Sequence, residues 1–71
     1  MLPHPVCARI KMLRKAAGLT GAALAKKAHL AWPSIKDYET RVIPPLLSLE
    51  KIAKALGISL VTLLDGKANK R

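Results

Sequence analysis

Apolar residues recur along this chain at intervals of three and four, and the gaps between the periodic runs carry glycine, proline or a hydroxyl residue. The first run covers residues 6–17 and puts Ile10, Leu13 and Ala17 on one side, which predicts a helix ended by Gly18. A second helix opens after Thr20, a hydroxyl residue placed to cap it, and gives Leu24, Ala25 and Ala28 one apolar face. Leu30 fills the corner that follows. Pro33 suits the opening turn of a third helix, where its missing amide donor has no intrahelical partner to lose. Ile35 and Tyr38 share the inward side of that helix, which leaves Trp32, Ser34, Lys36 and Asp37 facing outward. Residues 41–45 form a loop, because Pro44 and Pro45 disfavour helix in the residues before them. A fourth helix runs to Leu56 with Leu49, Ile52, Ala53 and Leu56 inward, Lys51 and Lys54 toward water, and Gly57 as its stop. Ile58 tucks under the turn. Ser59 caps a fifth helix whose Leu60, Leu63 and Leu64 fall on one side, a better reading of this segment than a strand. The pattern predicts an all-α domain of about five helices around one core. A proline-bracketed arm occupies residues 1–5, the helical domain residues 6–65 and a basic tail residues 66–71.

Composition restricts what such a domain can do. A chain of 71 residues supports one small domain that buries roughly 60% of its unfolded surface. Phe is absent and Trp32 and Tyr38 are the only aromatic residues, so the core is aliphatic. A deep cavity of about 300 Å³ would consume much of that core, which leaves no room for an internal ligand sensor. The formal net charge of +9 implies attraction to polyanions, nucleic acid ahead of an anionic membrane. The amino-terminal segment lacks the order of a signal peptide, and no apolar run approaches the roughly 20 residues that span a bilayer. One cysteine, Cys7, excludes an intramolecular disulfide and fits a reducing, cytoplasmic setting.

Catalysis and metal binding find little support. Four acidic residues and two histidines show no paired arrangement, which argues against an enzyme. His4, Cys7 and His29 fall short of the four closed ligands that structural zinc requires, so no metal or cofactor is expected. Cys7 reads instead as a small hydrophobe of the first helix.

The second and third helices with their tight corner lay out a helix-turn-helix. An indole ring, a hydroxyl, an ammonium and a carboxylate on one exposed helix start suit the base edges and phosphates of double-stranded DNA. The competing reading of Trp32 is a partly buried packing residue that never touches DNA.

Arg14, Gly18-Leu19-Thr20, Leu24-Ala25, Ile35, Glu39, Pro44, Leu56-Gly57, Leu60 and Leu64 occur in an order that resembles the Xre family of phage Cro and CI repressor-like DNA-binding domains. The resemblance covers residues 10–64, and its force lies in the ordered set rather than in any one fragment. It implies a compact five-helix lambda-repressor-like domain whose third helix enters the major groove while the second crosses the phosphate backbone. Trp32, Pro33, Lys36 and Asp37 match the base-readout positions; Thr20, Gly21, Ser34 and Arg41 match phosphate contacts. Lys36 would donate to guanine, Trp32 would pack on a thymine methyl, and Asp37 would accept from cytosine or restrain Lys36. Arg14 and Glu39 match a structural ion pair beneath the recognition helix, the alternative being that Arg14 binds phosphate.

Two-fold docking on DNA is also implied, and Val42, Ile43, Leu47 and Val61 are the candidates for a homodimer contact because they fall outside the inferred core faces. The reading is a sequence-preferring transcriptional regulator. Its rivals are a protein-interaction module that docks a partner through Trp32, Pro33 and the aliphatic loop, and the DNA-binding half of a toxin-antitoxin or phage-maintenance pair. The chain departs from the family at Gly21, where a glutamine is usual, and at His29, where glycine is frequent. The loop after Glu39 is one residue short, and Trp32-Pro33 replaces polar readout residues, which shifts weight toward groove shape and apolar contact.

Overall fold

The computed structural model describes residues 5–65. Five helices follow one another: α1 (Pro5–Ala16), α2 (Gly21–Ala28), α3 (Trp32–Tyr38), α4 (Leu46–Leu56) and α5 (Leu60–Asp65). Residues 1–4 of the expected arm and the expected tail over residues 66–71 lie outside the described residues. Pro5 belongs to α1 rather than to an arm, since its ring fits a first helical position that needs no amide donor.

Val6, Cys7 and Ile10 are the buried residues of α1, and Leu13 packs against them from the edge. Ala17 is exposed, contrary to the inward position expected of it, because α1 stops one residue earlier. Gly18 then turns the chain at φ +75°, and the Leu19 amide reaches back to the Arg14 carbonyl at 3.1 Å. A left-handed residue followed by that return bond is how helices commonly satisfy their last carbonyls. Gly57 repeats the device after α4 at φ +73°, with the Ile58 amide bonded to the Ala53 carbonyl at 3.0 Å.

Hydroxyl caps open α2 and α5. Thr20 Oγ1 accepts from the Ala23 amide at 3.0 Å, and Ser59 Oγ accepts from the Thr62 amide at 3.1 Å while donating to Thr62 Oγ1 at 2.9 Å. Each cap satisfies a donor that the first turn leaves without an intrahelical partner.

Ile10, Leu24, Ile35, Ile52 and Leu63, one from each helix, meet with Val6 and Cys7 in a fully buried aliphatic core. Ala25, Ala28, Ala53 and Ala55 are buried beside them, and their small side chains let α2 and α4 approach closely. Leu56 is partly buried and Ala55 takes a buried place on α4 that the spacing did not assign to it. Leu64 is exposed rather than inward, because α5 spans only six residues and Leu63 fills its inward position. The Arg9 guanidinium of α1 covers the end of α5, donating to the Leu63 carbonyl at 2.9 Å and also to the carbonyl of Leu64. Cys7 sits in the core with its Sγ 3.6 Å from the Val42 carbonyl, a weak donor in an otherwise apolar place. No helix among the described residues is long and apolar enough to cross a membrane.

Candidate nucleic-acid interface

The corner between α2 and α3 is made by His29, which adopts the left-handed conformation at φ 58° and ψ 42°. A non-glycine residue there costs about 1–2 kcal/mol. The Leu30 amide bonds to the Ala25 carbonyl at 2.8 Å, and Leu30 packs against the core, so the corner closes over apolar contact despite the missing glycine. Trp32 is then the first helical residue of α3, with Pro33 in the first turn and Ala31 as a cap lacking a side-chain acceptor.

Burial of Ile35 sets the roll of α3, and Tyr38, half-buried, reinforces it through its hydroxyl 3.4 Å from Ser48 Oγ on α4. That roll turns Trp32, Pro33 and Lys36 outward, while Ser34 and Asp37 lie half-buried at the edges of the stripe instead of fully exposed. Lys36 has no ion-pair partner among the described residues. Asp37 pairs with Arg41 at 3.3 Å and does not restrain Lys36. The turn after α3 explains this choice: the Arg41 amide bonds to the Asp37 carbonyl at 2.9 Å, which keeps the helical spacing at which residues four apart face one another and adjacent residues do not. Both side chains of the pair are substantially exposed, and such a pair contributes only about 0.3–0.5 kcal/mol. Arg41 therefore stays available to a phosphate at small cost.

Trp32 and Gly21 form the least expected feature of this surface. A Cβ built on Gly21 would stand 2.1 Å from Cζ3 and 2.3 Å from Cη2 of the indole, well inside van der Waals contact. The ring occupies the space in which a side chain at position 21 would begin. Gly21 is consequently buried. The indole keeps 46% of its surface exposed, so it both packs on α2 and presents a face to the outside. The paired occurrence of a glycine at the start of α2 and a tryptophan at the start of α3 is the signal in the sequence. Thr20 remains exposed, its oxygen engaged as the cap acceptor and its hydroxyl proton still free to donate.

Beneath α3, Arg14 Nε lies 2.6 Å from Glu39 Oε2 and Nη2 lies 3.2 Å from Oε1, while Nη1 donates to the Leu19 carbonyl at 2.8 Å. Side-chain exposure is 12% for Arg14 and 6% for Glu39. This fork ties the ends of α1 and α3 together, and the geometry is the bidentate one that only arginine supplies. Thr40, which the sequence reading passed over, donates from Oγ1 to the Lys36 carbonyl at 2.9 Å and so closes the last turn of α3.

Val42, Ile43, Leu47 and Val61 are exposed, and Leu46 and Leu64 join them, on the α3–α4 loop, the start of α4 and the outer side of α5. Among the described residues no group of three or more histidine, cysteine, aspartate or glutamate side chains is placed to hold a metal.

A helix-turn-helix family model matches residues 10–63, and the chain belongs to this family of Cro and CI repressor-type DNA-binding domains. The family is one of DNA-binding regulators rather than enzymes. Comparison with curated proteins returns no match. Among solved structures, the chain is similar to SinR of Bacillus subtilis, the master regulator for biofilm formation, in complex with DNA: 35% identity, TM-score 0.78, covering 84% of this chain and 98% of the other. The DNA-binding domain of the phage P22 C2 repressor superposes with a TM-score of 0.85 at 28% identity, covering 100% of this chain and 95% of the other. The restriction-modification controller protein C.AhdI from Aeromonas hydrophila matches at 29% identity with a TM-score of 0.79, covering 82% and 89%. The five-helix arrangement is thus the lambda-repressor-like fold.

Proposed function

We propose that this protein is a sequence-preferring regulator of transcription that binds double-stranded DNA as a homodimer and acts in the cytoplasm, on the nucleoid. The observation that carries this reading is the first turn of α3, where Trp32, Pro33 and Lys36 stand exposed on a helix held from below by Ile35 and the Arg14–Glu39 fork. Lys36 and Trp32 take the base-edge role, with Asp37 at the margin, and Thr20, Ser34 and Arg41 position the backbone. One domain of this size makes few base contacts, and two on half-sites roughly 34 Å apart multiply their discrimination. Selection of bound duplexes from a random library is the direct test. Enrichment of a palindrome supports recognition and two-fold symmetry together, and recovery of unenriched duplexes removes the proposal.

Lys36→Ala is expected to relax the preference at one base position by about 1–3 kcal/mol while sparing the others. An equal loss of affinity on every duplex would make Lys36 a phosphate contact instead.

The exposed aliphatic residues are the proposed homodimer contact, because so many large apolar side chains left outside the core of a small domain favour an interaction site. Ile43→Glu is expected to shift the protein from dimer to monomer in sedimentation at micromolar concentration. A parent that already sediments as a monomer under those conditions excludes the dimer.

SinR is also solved in a complex with SinI, which makes docking of a protein partner through the same aliphatic surface the second reading. Salt separates the two, since affinity driven by phosphate contacts falls steeply as salt rises and apolar docking does not.

A further inference from the structure

The seam between α2 and α4 opens at the surface as a groove of about 360 Å³ lined by Lys27, Ala28, His29, Lys51, Lys54 and Ala55. None of the residues assigned to DNA borders it. We propose that this groove binds a compact phosphorylated ligand carrying clustered phosphates.

Charge is the first argument. Lys27 and Lys54 stand in or beside the last turns of α2 and α4, where an ammonium offsets the negative end of a helix. Each helix end amounts to about half a charge, so two ends leave roughly two of the three lysine charges uncompensated. No ion pair among the described residues uses any of them: the pairs there are Arg14–Glu39 and Arg41–Asp37. Glu50, one residue before Lys51 and four before Lys54, does not pair with either. A concave site lined by one sign of charge concentrates potential, and mobile lysine ammoniums bind phosphate as point charges.

Shape is the second. The groove lies within the roughly 300–1,000 Å³ range of small-molecule sites. It sits at the surface, so the absence of space within an aliphatic core does not bear on it. Buried Ala28 and Ala55 give it an apolar floor against which a carbon skeleton can lie, and His29 also lines it. Three lysines and a histidine along one groove match several adjacent phosphates better than one.

The test is a titration of isotopically labelled protein with inorganic tripolyphosphate at constant ionic strength, followed by amide chemical shifts. Saturable shifts confined to Lys27, Ala28, His29, Lys51, Lys54 and Ala55 are expected. The double variant Lys51→Ser with Lys54→Ser should bind about tenfold more weakly or worse, because the groove loses two of its three ammoniums. The control pair Lys11→Ser with Lys15→Ser, which removes equal charge from α1, should change binding less than about twofold, since these exposed charges do not line the groove and are screened by salt. Shifts spread over all lysines, shifts centred on residues 20–21 and 32–37, or equal weakening in both doubles would overturn the site. Tighter occupation of the groove by a ten-nucleotide oligothymidylate at the same phosphate concentration would overturn the ligand class, making it a nucleic-acid strand.

Discussion

Glu39→Ala is expected to remove about 3–5 kcal/mol of folding stability, because it strands the Arg14 guanidinium in a place from which most water is excluded. A domain of this size holds only about 5–15 kcal/mol in total. Each kcal/mol moves the midpoint of a 60–100-residue domain by about 4–8 °C, so thermal unfolding should shift down by more than about 10 °C. The cost arises from the unpaired charge rather than from the lost attraction itself. Replacing Arg14 and Glu39 together with apolar residues of similar volume should therefore cost far less than either single change, and can even stabilise. Arg14→Ala provides the discriminating measurement. If Arg14 served as a phosphate ligand, its removal would leave the midpoint in place and weaken only DNA binding. The bond from Nη1 to the Leu19 carbonyl argues against that outcome, since all three guanidinium nitrogens are engaged inside the protein.

Gly21→Ala should dislodge Trp32. The new methyl cannot coexist with ring carbons 2.1 and 2.3 Å away, and the nearest atoms belong to a half-exposed side chain that can rotate outward. Two effects oppose each other in the energetics. Alanine is the better helix former by at most about 1 kcal/mol, less at the first position of a helix. Forced overpacking or loss of the indole contact costs about 1–3 kcal/mol, and so the net change is destabilising. Trp32 is the sole tryptophan, which makes its fluorescence an unambiguous reporter: emission should shift toward that of a water-exposed indole. In a Trp32→Ala background the same Gly21→Ala change should cost nothing or stabilise slightly, a coupling of about 0.5–3 kcal/mol between the two positions. Unchanged emission together with an equal cost in both backgrounds would disprove the contact. DNA selection should change as well, because Trp32 is the first residue of the exposed stripe on α3 and its ring would no longer be held against α2.

This pair also accounts for a departure from the family pattern. Where a glutamine is usual, Gly21 leaves a vacant volume, and Trp32 occupies it from eleven residues further along the chain. The two departures that looked separate along the sequence are one packing solution. It gives the start of α3 a fixed apolar face, consistent with recognition that relies on groove shape and methyl contact alongside the Lys36 ammonium.

What could be read from the sequence, and what could not, divides by distance along the chain. The five helices, the caps at Thr20 and Ser59, the turns at Gly18 and Gly57 and the inward roles of Ile10, Leu24, Ile35 and Ile52 all depend on residues within about one turn of each other, where periodicity and local hydrogen bonding suffice. The pairing of Asp37 with Arg41 rather than Lys36 was missed, although the four-residue interval between them is a local signal of the same kind. The Arg14–Glu39 pair was legible only through the resemblance to a known family, because nothing local joins residues 25 positions apart. Tertiary packing alone decided the rest: Arg9 covering the end of α5, Leu64 left outside, Gly21 buried beneath the indole, and lysines of α2 and α4 gathered around one groove. Each of these depends on which volumes are already filled when helices meet, a condition that one-dimensional spacing does not contain.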